Sequence, residues 1–179
     1  MEFYEMKIAG CERKLPKCAI NEKLDIAAFI MFGDTELTVK CAELLLEKVP
    51  DFDCLITAEA KGIPLAYEMS RQSGKKYFVG RKGLKLYMTD PIVVEVKSIT
   101  TEKVQHLYLS SEEAEQLKGK KVLLVDDVIS TGESLSAIRE LAERAGGTVV
   151  GQAAVLAEGD AAERDDIVFL EPLPLFFKD

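Results

Sequence analysis

Val122-Leu123-Leu124-Val125-Asp126-Asp127-Val128-Ile129-Ser130-Thr131-Gly132-Glu133-Ser134 is the stretch from which the rest of the chain is read. Its first four residues are all apolar, which suits a strand covered on both faces, as in a parallel sheet. Two carboxylates follow where such a strand emerges, then a small loop rich in hydroxyls. A helix comes next, with Leu135, Ile138, Leu141, Ala142 and Ala145 as its buried stripe and Ser134 as its cap. Strand, loop and helix in that order form the repeating unit of an α/β fold.

Outward from this segment the alternation continues. Residues 35–48 place Leu37, Cys41, Leu44 and Leu45 at helical spacing, and Pro50 ends the run. Residues 53–58 read as a short apolar strand, 64–73 as a helix stopped at Gly74, and 76–79 as a second strand. Gly146-Gly147 closes the later helix before a strand at 148–156, and 167–170 adds a last one. In the middle, 92–96 and 104–109 are rich in β-branched and aromatic residues and are joined by the polar run 97–103. That pattern predicts a two-stranded ribbon with a mobile, functional tip. The expectation is one α/β domain over 1–179, its central parallel sheet flanked by helices. Residues 1–50 would supply an N-terminal appendage and the leading helix, 51–170 the core, and 171–179 a C-terminal tail.

Composition narrows the function. The 179 residues are 47% hydrophobic and 30% charged, a globular mix. Lys and Arg number 23 against 31 Asp and Glu, a net charge of -8, which disfavours binding to a nucleic-acid backbone. No apolar run approaches the ~20 residues that span a bilayer. The start, Met1 to Lys7, lacks the cationic and apolar regions of a signal peptide, so no membrane association and a cytoplasmic location are expected. Cys11, Cys18, Cys41 and Cys54 are not spaced for zinc, and His106 is far from them in sequence. They read as buried or idle thiols, not as a disulfide framework.

The acidic pair and the loop after it carry the chemistry. Ligands of open α/β sheets bind at the carboxyl ends of the strands, where Asp126 and Asp127 stand. Adjacent like charges are costly when buried, so the two are expected to be solvated, hydrogen-bonded, or facing cations and hydroxyls. Free N–H groups at the following helix start make an anion site, with hydroxyls beside them. Acceptors for sugar hydroxyls thus adjoin donors for a phosphate, as a cradle for ribose 5-phosphate requires. A plain turn, with Asp127 or Ser134 merely capping, would account for a shorter D-D-x-x-x-T-G string; the thirteen-residue string is more specific.

That string resembles the phosphoribosyl-pyrophosphate (PRPP) binding motif of type I phosphoribosyltransferases. The resemblance implies that Asp126 and Asp127 hold the ribose while Ser130, Thr131, Gly132, Glu133 and Ser134 wrap its 5-phosphate. Glu133 stands where many relatives have glycine, so its side chain would have to point away from the phosphate. Glu59-Ala60-Lys61-Gly62-Ile63-Pro64 follows the 53–58 strand where the family has its pyrophosphate loop, implying contacts from Ala60, Lys61 and Gly62. Gly62 would permit close backbone approach and unusual dihedrals. Arg81-Lys82-Gly83-Leu84-Lys85 is similar to a pyrophosphate-binding segment of adenine and xanthine members, often acting across a dimer interface. It implies roles for Arg81, Lys82 and Lys85, and a homodimer.

The implied fold is the type I phosphoribosyltransferase fold, with a flexible β-ribbon closing over the reaction and an N-terminal hood over the base. The implied reaction moves ribose 5-phosphate from PRPP to a purine and releases pyrophosphate. Adenine is the first expectation, then xanthine or guanine. Mg2+ would arrive mainly with PRPP, with Asp126 and Asp127 available to it. Closure of 97–103 would exclude water. Glu102 in that run is a catalytic candidate weighed against an exposed loop residue. Val128 and Glu158 are candidates for the base, with Ile20 and Phe29 as apolar hood residues. Asn21 either reads a purine edge or makes a turn before Leu24, and His106 faces solvent or pairs within the ribbon. The alternative is a non-catalytic PRPP-sensing regulator that keeps the fold. No helix-turn-helix pattern precedes the domain, and cations serving mainly pyrophosphate (Lys61, Arg81, Lys82) favour an enzyme.

Overall fold

The computed structural model describes residues 2–96 and 104–178. Among these, three antiparallel strands open the chain: β1 (Phe3–Ile8), β2 (Cys11–Asn21) and β3 (Leu24–Ala27). Helix α1 (Thr35–Lys48) begins at Asp34, whose carboxylate accepts from the Leu37 amide at 3.2 Å and pairs with Arg13 at 2.7 Å. Then come β4 (Cys54–Ala58), α2 (Ile63–Ser73) and β5 (Tyr77–Gly80). The ribbon is β6 (Ile92–Val96) and β7 (Gln105–Leu109), antiparallel, and α3 (Ser111–Leu117) follows it. The second half contains β8 (Lys121–Ile129), α4 (Glu133–Arg144) and β9 (Thr148–Glu158). A 3-10 turn at Gly159–Glu163 leads to β10 (Val168–Leu173) and β11 (Phe176–Phe177).

The central sheet, in the order β10-β9-β8-β4-β5, is parallel throughout. Its middle strand explains the apolar run that opens the motif. Val122 and Leu124 enter a core with α4, α3 and the ribbon, whereas Leu123 and Val125 enter a second core with α1, α2 and the N-terminal strands. All four are 0% exposed, so neither side of the strand tolerates a polar residue. A second sheet, β1-β2-β3-β11, joins the two ends of the chain; Phe176 pairs with Asp25 and stacks edge-on to Tyr4 with centroids 5.2 Å apart.

Three expectations need correction: the extent of the strand carrying the acidic pair, the cap of α4 and the place of Phe29. β8 continues to Ile129, opposite Ala157 of β9, so Asp126 and Asp127 lie within the paired strand and not beyond it. The cap of α4 is Gly132, and Ser134 lies inside the helix without a capping hydrogen bond. Phe29 is 4% exposed in the core and so is withdrawn from any base-stacking role; Ile20 is exposed. Asn21 makes a turn, accepting from the Lys23 amide at 2.8 Å. His106 faces Glu95 across the ribbon at 3.9 Å. Cys11, Cys41 and Cys54 are buried and unbridged and Cys18 is exposed; burial pushes the Cys41 thiol up to about 12. The expected ribbon tip, with Glu102, lies outside the described residues. Among those residues no helix is long and apolar enough to cross a membrane.

Candidate active site

The site forms where β4 and β8 end side by side at the carboxyl edge of the sheet. After β4 the chain turns through Glu59, Ala60 and Lys61, with a cis peptide between Glu59 and Ala60, and Gly62 starts α2. Gly62 has φ -79° and ψ -10°, an ordinary helical conformation, so the expected unusual dihedral is absent. Space is the reason for glycine. A Cβ there would lie 2.3 Å from Thr57 Oγ1 and 3.3 Å from the Asp126 Cα. The turn is thereby pressed directly against the acidic pair.

The two aspartates differ in surroundings. Asp126 is half-buried, and its Oδ1 accepts from the Asp127 amide at 2.8 Å. Asp127 is 3% exposed; its Oδ2 makes no hydrogen bond and faces the Lys61 ammonium at 3.6 Å. Burial, reinforced by the neighbouring Asp127 carboxylate, pushes the Asp126 carboxyl well above its ordinary range. Of the expected alternatives, Asp126 is hydrogen-bonded and half-buried at the cavity, and Asp127 is buried and faces a cation with one unsatisfied oxygen.

Around it lies a cavity of about 430 Å³ lined by Ala60, Lys61, Lys82, Asp126, Asp127, Val128 and Ser134. Lys82 is brought there by its backbone amide, which donates to Glu59 Oε2 at 2.8 Å. Gln105 and Leu107 of the ribbon form part of the wall. On the far side the loop 130–134 opens α4, with Gly132 at φ +82°, a conformation that L side chains rarely adopt. No side chain caps this helix at Gly132, and the positive end of its dipole lies at loop 130–134. Thr131 is exposed, Gly132 and Glu133 are half-buried, and the exposed Ser130 donates through Oγ to Glu158 Oε1 at 3.1 Å. Burial raises the Glu158 carboxyl, opposed by Ser130 and Lys61.

Some expected residues are not brought together. Arg81 donates to both carboxylate oxygens of Glu113, at 2.8 and 3.0 Å, with its guanidinium 5.8 Å from the Tyr87 ring; it does not line the cavity. The exposed Lys85 and the half-buried Glu158 are not in its lining either. Glu59, Gln105 and Leu107 were not singled out from sequence. Glu59 stood inside the quoted loop but carried no pattern of its own, and the ribbon residues reach the cavity only through tertiary packing.

An acidic dyad, two lysines and a helix start without a side-chain cap on one edge of a parallel sheet suit a polyhydroxylated ligand with several phosphates. The profile of the phosphoribosyl transferase domain matches residues 35–174, and the chain belongs to that family. It is 38% identical over 113 residues to the adenine phosphoribosyltransferase of Petrotoga mobilis, covering 63% of this chain and 61% of that one. It is 33% identical over 158 residues to the hypoxanthine/guanine phosphoribosyltransferase of Methanocaldococcus jannaschii, covering 83% and 82%. The chain spans 57–61% of the length of three curated relatives it matches, the Petrotoga protein among them. In fold it matches the crystal structure of an adenine phosphoribosyltransferase from Thermoanaerobacter pseudethanolicus, with a TM-score of 0.69 over 95% of each chain at 20% identity.

Proposed function

We propose that this protein is a purine phosphoribosyltransferase that transfers ribose 5-phosphate from PRPP to a purine base and releases pyrophosphate. The observation that carries the reading is the Asp126–Asp127 dyad at the cavity, with Lys61 3.6 Å from Asp127, beside the uncapped start of α4. In this reading the dyad accepts hydrogen bonds from the ribose hydroxyls. Backbone N–H groups of 131–134, with the hydroxyls of Ser130, Thr131 and Ser134, hold the 5-phosphate. As the anomeric bond breaks, negative charge collects on the leaving pyrophosphate, and Lys61 and Lys82 neutralise it from fixed positions. Val128 offers an apolar face to the base, and Glu158 lies next to the loop as a hydrogen-bonding group for its edge.

A divalent cation fits the same floor. Asp126 and Asp127 are hard oxygen donors, and one Asp127 oxygen is buried without a hydrogen-bond partner. Among the described residues no cluster of three or more His, Cys, Asp or Glu is built for a metal. Asp126 and Asp127 would hold Mg2+ arriving with PRPP, and the cation would supply positive charge at the diphosphate. The sheet β1-β2-β3-β11 serves as the hood, with Ile20 exposed on it. The expected closing loop over 97–103 and the expected acid or base Glu102 lie outside the described residues. Arg81 and Lys85 do not line the cavity of their own chain, and in this reading they serve the neighbouring site of a homodimer.

Adenine is the first assignment for the base, with guanine or xanthine next. The test is pyrophosphate release from PRPP and Mg2+ with adenine, guanine, hypoxanthine, xanthine and orotate in turn. Release with one or more purines and none with orotate is expected. Tight PRPP binding without release with any base would replace the enzyme by a PRPP sensor, and failure to bind PRPP would overturn the reading altogether.

A further inference from the structure

Loop 130–134 contains three hydroxyl side chains, a glycine and a glutamate, and no cation. Within the loop itself a phosphate dianion would meet no cationic side chain, and the helix start adds a partial charge of roughly half a unit. The structure brings a full charge to this loop from a distant part of the chain. Arg164, just after the 3-10 turn, lies so close to Gly132 that a Cβ on that glycine would sit 2.9 Å from Arg164 Nη1.

The guanidinium is fixed in place. Its Nε and Nη2 donate to the two carboxylate oxygens of Asp166, each at 2.8 Å. Asp166 in turn accepts from Gln152 Nε2, at 3.2 Å on Oδ2 and 3.3 Å on its carbonyl oxygen. Gln152 is 6% exposed within β9, so the chain of contacts runs from the interior of the central sheet to the rim of the loop. The forked pairing uses one edge of the guanidinium and leaves Nη1, with its two hydrogens, beside Gly132 and donating to no described residue. The Arg164 guanidinium holds the Asp166 carboxyl down at about 2, so the clamp stays ionised at neutral pH.

We infer that Arg164 is a further ligand of the sugar 5-phosphate, donating through Nη1, and that Asp166 and Gln152 are the residues that position it. The inference rests on the phosphoribosyltransferase reading of loop 130–134. Calorimetric titration with ribose 5-phosphate and, separately, with pyrophosphate tests it on the wild type, Arg164→Ala, Arg164→Gln and Asp166→Asn. Loss of a charge-assisted hydrogen bond is expected to weaken ribose 5-phosphate by about tenfold to hundredfold in both Arg164 variants. Asp166→Asn should weaken it less, because the charge remains while its orientation loosens. Pyrophosphate affinity should be unchanged in all three, and KM for PRPP should rise with little change in kcat. Equal ribose 5-phosphate affinity in the wild type and both Arg164 variants overturns the inference while leaving the enzyme reading intact. Equal loss for both ligands also overturns it, since that would mark general damage. A wild type that binds no ribose 5-phosphate overturns the phosphoribosyltransferase reading, and this inference with it.

Discussion

Two adjacent aspartates on one buried strand end are an unfavourable arrangement for stability. Asp126 holds its proton more tightly in the folded protein than in the unfolded chain, because burial and Asp127 both disfavour its charge. For an acid whose native pKa is raised, folding loses stability as pH climbs from the ordinary carboxylate range, near 4, through the native value. Asp126→Asn removes that loss. Its expected melting temperature at pH 7 is therefore above the wild type's, by about 2–4 °C for each kcal/mol relieved, with the gap closing below about pH 4. The same variant should lose turnover, since a ribose hydroxyl would face an amide. Thermal melts from pH 4 to 8 beside an activity assay check both parts; a variant less stable than wild type at pH 7 would contradict the first. This residue pair was fully legible in the sequence, but its burial was not. Nothing in the string Val125-Asp126-Asp127-Val128 reveals that β9 extends far enough to cover it.

At the level of elements, α3 links the ribbon to the segment that follows β5. Ser110 and Glu113 form a capping box: the Glu113 amide donates to Ser110 Oγ at 3.3 Å, and the Ser110 amide to Glu113 Oε2 at 3.1 Å. The same Glu113 carboxylate takes the Arg81 guanidinium, so the start of the helix and the entry to the cationic segment are tied together. Ser110→Ala is expected to cost about 1 kcal/mol and Arg81→Ala about 1–2 kcal/mol, the latter by leaving a largely buried carboxylate without its partner. Urea melts measure both; an Arg81→Ala protein as stable as wild type would remove the structural role of this pair. The helix escaped the sequence reading because seven residues are too few for periodicity to register, although Ser110-Ser111-Glu112-Glu113 held the capping signal. The helices α1 and α4 were legible from apolar positions recurring at helical spacing, and α2 from Pro64 at its start and Gly74 at its end.

For the whole molecule, the central sheet separates two cores, and the hydrophobic surface left outside them points to association. Leu84, Leu86 and Tyr87 are exposed together in the stretch that carries Arg81 and Lys85. A homodimer through this segment would bury them and place those cations beside a neighbouring site. Light scattering at micromolar concentration is expected to give twice the chain mass, and Leu86→Asp to give a monomer. A monomeric wild type would remove the cross-subunit role of Arg81 and Lys85.

The sequence by itself determined the alternation of strand and helix from residue 35 onward, the acidic pair and the hydroxyl-rich loop. These are local patterns, set by side-chain periodicity and by the few residues a tight turn accepts. The tertiary structure alone decided the rest. Strands β1 to β3 interleave charged with apolar residues, and their sheet is completed by β11 from the other end of the chain. Arg81 went to Glu113 instead of the cavity, while Arg164, with no motif around it, came to loop 130–134. Contacts of that kind depend on which distant segments share a space, and no pattern along one stretch of chain encodes them.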